Sequence, residues 1–191
     1  MFVGSCGLVV GRSAGPPRPP RGDPGMIRPW TESDIDATRL ILRESWLAAY
    51  GPFIPREDLE GYLESQYSPD ALRALHGTAG VAGFIAEAGG GPAGYARTRH
   101  DAGAGRFYLS SLYVLPSAQG KGLGSALMSA AEAAARAAGA DRIWVGVMEP
   151  NRRTLEWYSR LGFTFPEREP FRMGGTTVEH RIGWRGIGNP A

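Results

Sequence analysis

Leu112-Tyr113-Val114-Leu115-Pro116-Ser117-Ala118-Gln119-Gly120-Lys121-Gly122-Leu123-Gly124-Ser125-Ala126-Leu127 is the stretch that decides how this chain reads. An apolar run of strand type meets Pro116, passes three alternating glycines and continues into an alanine-rich segment of helical composition. Glycines permit positive φ and let a ligand approach the backbone closely, and the first turn of a helix leaves N–H groups unpaired at the positive end of its dipole. Such a turn can hold phosphate, and three spacings compete for it. The Walker pattern needs Ser or Thr after Gly-Lys, but Gly120-Lys121 is followed by Gly122, and Leu115 stands where the first glycine belongs. The dinucleotide fingerprint needs Gly-x-Gly-x-x-Gly, and its acidic partner about 20 residues on would be Asp141, itself at a strand start. The third spacing, Gln-x-x-Gly-x-Gly, is met by Gln119, Gly122 and Gly124.

Outward from the turn, Gly122 to Ala138 is predicted to be one helix with Leu123, Leu127, Ala131, Ala134 and Ala138 on a single face. Upstream, Arg106 to Leu115 is a strand, and Val81 to Ala88, Gly89-Gly90-Gly91-Pro92 and Ala93 to Arg99 lay out a hairpin. Nearer the N-terminus, Ile27 to Trp30 is a short strand. Thr31-Glu32-Ser33-Asp34 caps a helix reaching Ala49, and two shorter helices cover Glu57 to Ser65 and Pro69 to Leu75. Downstream, Arg142 to Met148 is a buried-type strand and Arg152 to Leu161 a helix, with Asn151 at its N-cap and Gly162 as its stop. Phe163 to Phe165 and Thr176 to Trp184 complete the sheet. Strands joined by crossover helices, with hairpins at the ends, define a mixed-sheet α/β (α+β) domain.

A length of 191 residues with 42% hydrophobic and 21% charged side chains suits one core. One cysteine, Cys6, excludes an internal disulfide and points to a reducing, cytoplasmic setting. The net charge of +2 comes from Arg12, Arg18 and Arg21 against Asp23, so residues 26–191 balance and offer no basic surface for nucleic acid. His76, His100 and His180 lack metal-ligand spacing, and no run of 18 apolar residues suggests a membrane span. Residues 1–25 hold 11 Gly or Pro, a composition that cannot order itself, so the domain is expected over 26–185 with a tail at 186–191.

With its upstream Leu112-Tyr113-Val114 strand and the downstream Asn151-x-x-x-Leu155-x-Trp157-Tyr158-x-x-Leu161-Gly162-Phe163, the pattern resembles the GCN5-related N-acetyltransferase (GNAT) superfamily over residues 26 to about 185. Ile143 to Asn151, with Phe171-Arg172-Met173-Gly174, is similar to the bacterial spermidine/spermine acetyltransferase-like group. The resemblance implies a mixed central sheet in which the strands at 106–115 and 142–148 splay apart around acetyl-CoA. Backbone of Leu112, Tyr113 and Val114 would then line the pantetheine arm, and the amides of Gln119, Gly120, Lys121, Gly122, Leu123, Gly124 and Ser125 would hold the diphosphate. Asn151 and Leu155 would touch the cofactor arm, with Tyr158 near its sulfur.

An alkyl ammonium, with a pKa of about 10.4, must lose a proton before it attacks, and the departing thiolate must gain one. Tyr158, whose phenol titrates near 10, is the candidate general acid. For the base, family members often place a Glu before the glycine turn; here Ser110-Ser111 stands in that region. Glu149 is the nearest carboxylate in sequence, and a water chain to Ser110 or an amine arriving neutral is the alternative. Glu44, Asp58, Glu60 and Glu64 are read chiefly as solvated helix charges with the capacity to attract a cationic amine. The expected partner is thus a small amine or polyamine, with protein N-terminal or lysine acetylation, a silent acyl-CoA-binding module and a homodimer left open.

Overall fold

The computed structural model describes residues 25–188; the N-terminal extension except Gly25, and residues 189–191 of the tail, lie outside the described residues. The chain runs through β1 (Ile27–Pro29), α1 (Ile35–Tyr50), α2 (Arg56–Gln66), α3 (Pro69–His76), β2 (Val81–Ala88), β3 (Gly91–Asp101) and β4 (Arg106–Val114). A 3-10 turn at Pro116–Ala118 leads into α4 (Leu123–Ala137), β5 (Arg142–Met148), α5 (Arg152–Arg160), β6 (Thr164–Met173) and β7 (Thr176–Gly186). These strands form one seven-stranded sheet in the order β1-β2-β3-β4-β5-β7-β6, antiparallel throughout except between β4 and β5.

Each face of the sheet carries its own core. On one side α4 and α5 bury Leu123, Leu127, Ala131, Ala135 and Tyr158 against Ala96, Leu112, Val114, Val145 and Val147. On the other, α1 to α3 bury Ile41, Leu42, Trp46, Leu59 and Leu72 against Ile85, Tyr95, Tyr113 and Met148. Alanines let α4 lie close to the sheet: a Cβ on Gly94 of β3 would stand 3.1 Å from Leu127 Cδ1. The helix face is rotated from the expected one, because Met128 and Ala135 are buried and Ala138 is exposed. Glu132 also lies on the buried face, where it pairs with Arg185 and Arg136.

Local chemistry closes the joints. Gly89 and Gly90 both have positive φ, 66° and 89°, which gives the β2–β3 hairpin its two-residue turn. Asp34 accepts from the Thr31 amide and hydroxyl and takes two bonds of 2.7 Å from Arg28, whose Nε reaches Glu87 on β2 at the same distance. The Arg28 bond, opposed by burial, holds the Asp34 carboxyl down at about 2.

Two further expectations are corrected. β6 is ten residues long, far more than Phe163 to Phe165, because it is the edge strand, where Pro166 and Pro170 cost no ladder hydrogen bond. Within the expected tail, Gly186 still belongs to β7, and Ile187 is buried with its amide on the Asp141 carbonyl.

Candidate functional site

The site begins with a defect in β4. Arg97 of β3 faces Ser111 while Thr98 faces Leu109, so Ser110 is the extra residue of a bulge. Bulges bend a strand and increase its twist. β4 pairs with β5 only at Tyr108 and Trp144, just before the bulge, and beyond it the two parallel strands part. Leu115 donates to Ala93 on the β3 side at 2.9 Å, so by alternation the polar backbone of Leu112 and Val114 faces the gap. The Val114 carbonyl is already engaged, accepting from Gln119 Nε2 at 3.0 Å and from Ser45 Oγ of α1 at 3.3 Å. Ser45 had no visible role in the sequence, and with Gln119 it pins the turn to the strand end.

The turn then presents its backbone outward. Gly120 and Gly122 have φ of 78° and 85°, a region closed to most side chains, and a Cβ on either would meet nothing within 4 Å. The Gln119 amide leans on the Pro116 carbonyl at 3.5 Å, so the free series starts one residue later than expected, at Gly120. Among the described residues the amides of 120–125 find no acceptor; the first bond of α4 is Ala126 to Gly122. Lys121 is exposed beside them, whereas Leu123 is buried and anchors the helix start.

Across the gap β5 ends at Met148. Asn151 caps α5 by accepting from the Thr154 amide at 3.3 Å, as its position predicts, and its Nδ2 is a buried donor with no partner among the described residues. Leu155 is half-buried one turn on. Tyr158 is fully buried in the cluster that includes Leu112 and Val114, edge-on to Trp157 and Phe163 at 4.8 and 5.0 Å. Tyr113 points to the opposite face, against Trp46.

The two base candidates separate. Glu149 turns toward β6 and β7, where Arg181 and Arg168 approach its carboxylate at 3.3 and 3.6 Å. Ser110 instead lines a cavity of about 360 Å³ between α2–α3 and β3–β4, with Tyr62, Tyr67, Arg97 and Arg99. Under β5, His180 is completely buried against Gly146, and loss of hydration pushes its pKa down to about 4, so it is neutral at neutral pH. The acidic residues read chiefly as solvated helix charges each have a partner. Glu60 pairs with Arg43 and Arg56, Glu64 with Arg39 and Glu44 with Arg43, while Asp58 accepts from Gly175 and Thr176 at the β6–β7 turn. Among the described residues no cluster of His, Cys, Asp or Glu is placed to hold a metal, and no helix is long and apolar enough to cross a membrane.

An open strand edge that leads into free helix-start amides presents the kind of donors and acceptors with which an extended, amide-bearing ligand ending in phosphate can pair. Comparison with known proteins gives the family. The profile described as Acetyltransferase (GNAT) family matches residues 40–163, and the chain belongs to that family. It is 41% identical over 66 residues to an uncharacterized N-acetyltransferase of Mycobacterium tuberculosis, a match covering 35% of this chain and 42% of that protein. The paia N-acetyltransferase of Thermoplasma acidophilum, solved in complex with coenzyme A, superposes with a TM-score of 0.68 at 21% identity over 82% of this chain and 97% of that one. The yncA protein of Salmonella typhimurium, solved with its cofactor acetyl-CoA, gives 0.61 at 25% identity over 87% and 96%.

Proposed function

We propose that the chain is an acetyl-CoA-dependent N-acetyltransferase that serves a small primary amine, with both substrates bound at once. One observation carries the reading: the unpaired edge of β4 runs directly into free amides at residues 120–125. The residues present fit the coenzyme. The amides of 120–125, at the positive end of α4, suit a diphosphate, and no side chain at Gly120 or Gly122 obstructs it. Leu112 and the Val114 amide offer a strand edge to the amides of pantetheine, and Asn151 Nδ2 supplies a buried donor that no other described residue engages.

Bound acetyl-CoA supplies a thioester carbonyl, at which a C–N bond forms as the C–S bond breaks. Tyr158 holds a proton at Oη for the departing sulfur, in an environment where burial of the ring fixes its position. No carboxylate lines the cavity at Ser110, whereas two guanidiniums do. Like charge disfavours an ammonium there, so the acceptor binds as the neutral amine, with Ser110 Oγ as a hydrogen-bond relay to water. A second reading, a module that binds acyl-CoA without turnover, draws on the commitment of Glu149 to two arginines.

Thiol release from acetyl-CoA over a panel of amines, beside calorimetric titration of acetyl-CoA, tests both. Saturable binding with amine-dependent thiol release is expected. Binding without release selects the silent module, and no binding removes the reading altogether.

A further inference from the structure

We infer that the cavity beside Ser110 is the acceptor's carboxylate subsite: Arg97 receives the carboxylate of an amino-acid-like amine. The inference rests on the acetyltransferase reading and narrows its acceptor.

Arg97 sits in β3 opposite Ser111 and is nine-tenths buried. Among the described residues no carboxylate approaches it: it takes part in no ion pair and donates no hydrogen bond, although a guanidinium offers five N–H groups. The Tyr67 ring centre lies 5.7 Å from its Cζ, and Tyr95, Tyr113 and Tyr62 stand around it. Aromatic rings soften the burial of a cation without supplying the counter-charge that would neutralise it. Burying a charge without a partner is among the most expensive arrangements in a fold, and a ligand that completes the pair accounts for it.

The cavity fits that ligand in sign, size and position. Arg97 and Arg99 line it together, Arg99 being drawn off by Asp101 at 3.7 Å, and no Asp or Glu contributes to the wall. Ser65, Gln66 and Thr78 add neutral polar groups, and Ala71, Ala74 and Leu75 an apolar side. A volume of about 360 Å³ is that of a small-molecule pocket. Guanidinium and carboxylate match as two parallel hydrogen bonds, a fit that amines without an acid group cannot make. Ser110 belongs both to this wall and to the bulge where β4 leaves β5, so a molecule held at Arg97 lies beside the strand that borders the coenzyme cleft.

The test compares acceptors with and without the acid group, with rates referred to the neutral-amine fraction of each because leucinamide is a weaker base than leucine: leucine against leucinamide, and 5-aminopentanoate against 1-aminopentane. Thiol release is measured with wild type, Arg97→Met and Arg97→Lys, and binding of leucine to the full chain is followed by NMR. Wild type is expected to favour the acids at least 30-fold in kcat/KM. Arg97→Met should lose that preference through KM with its acetyl-CoA affinity unchanged, and Arg97→Lys should restore part of it. Amides accepted as well as acids, or a preference that survives Arg97→Met, would overturn the inference while leaving the acetyltransferase reading intact. Conversely, Arg97-dependent leucine binding with no thiol release from any amine of the panel would keep Arg97 as a carboxylate site but overturn its role as an acceptor subsite, together with the acetyltransferase reading. Neither leucine binding nor discrimination, in protein that melts like wild type, overturns the subsite directly.

Discussion

The Tyr158 ring is packed edge-on to Trp157 and Phe163, so Tyr158→Phe keeps the contacts and removes one hydroxyl. Loss of a hydroxyl of this kind changes stability by about 1 kcal/mol. If Oη supplies the proton to sulfur, kcat for thiol release falls by about 100-fold or more. Steady-state kinetics together with a thermal melt separate the two effects, and an unchanged kcat in a normally folded variant removes Tyr158 from the chemistry. At this scale the sequence was legible where a residue's role is local. Asn151 caps the next helix, as its place before Arg152 implies. It was not legible where the role depends on a distant element. Arg97-Thr98-Arg99 reads as ordinary strand alternation, and only the cover provided by α2 and α3 makes Arg97 a buried cation. Glu149 lies nearest in sequence to the cleft, but its amide continues the β5–β7 ladder onto Glu179 and its side chain meets arginines of β6 and β7.

Among elements, the turn from β4 to α4 was the most legible, because positive φ selects glycine and leaves a mark in the sequence at Gly120 and Gly122. β6 was the least, since an edge strand tolerates Pro166 and Pro170 and shows mostly exposed residues. The bulge at Ser110 left no mark at all, although it lies where the sheet opens. Gly122→Ala tests the turn as a unit. A Cβ there clashes with nothing, so the cost is confined to the left-handed backbone, about 1 kcal/mol of stability. That strain acts on the residue whose φ of 85° sets the direction of the amides at the start of α4. Acetyl-CoA affinity, read by calorimetry, is therefore expected to fall about tenfold or more, a change of about 1.4 kcal/mol. An affinity equal to wild type would show that the amides of residues 120–125 do not hold the diphosphate.

For the molecule as a whole, the two flanks of the sheet are secured by groups that respond to acid in the same direction. Asp34 ties β1 and the start of α1 to β2 through Arg28, and its carboxyl is depressed to about 2. His180 lies at the other flank, in register with Met148 of β5 and Glu169 of β6, and is depressed to about 4 from its ordinary 6.5. In both cases the unfolded chain binds a proton more readily than the folded one, so stability falls as pH falls. The windows differ: His180 acts from about 6.5 down to 4, and Asp34 from its ordinary 3.8 down to about 2. A shift of this size at a fully buried imidazole corresponds to at most about 3 kcal/mol. Urea unfolding at pH 7.5, 5.0 and 3.0 should show a first loss by pH 5.0 that is absent in His180→Gln, followed by a further loss at pH 3.0 that is smaller in Asp34→Asn. A wild-type stability that stays level between pH 7.5 and 5.0 would mean that His180 accepts a proton in the folded protein as readily as in the unfolded one, and that the flank formed by β5, β6 and β7 does not depend on its neutrality.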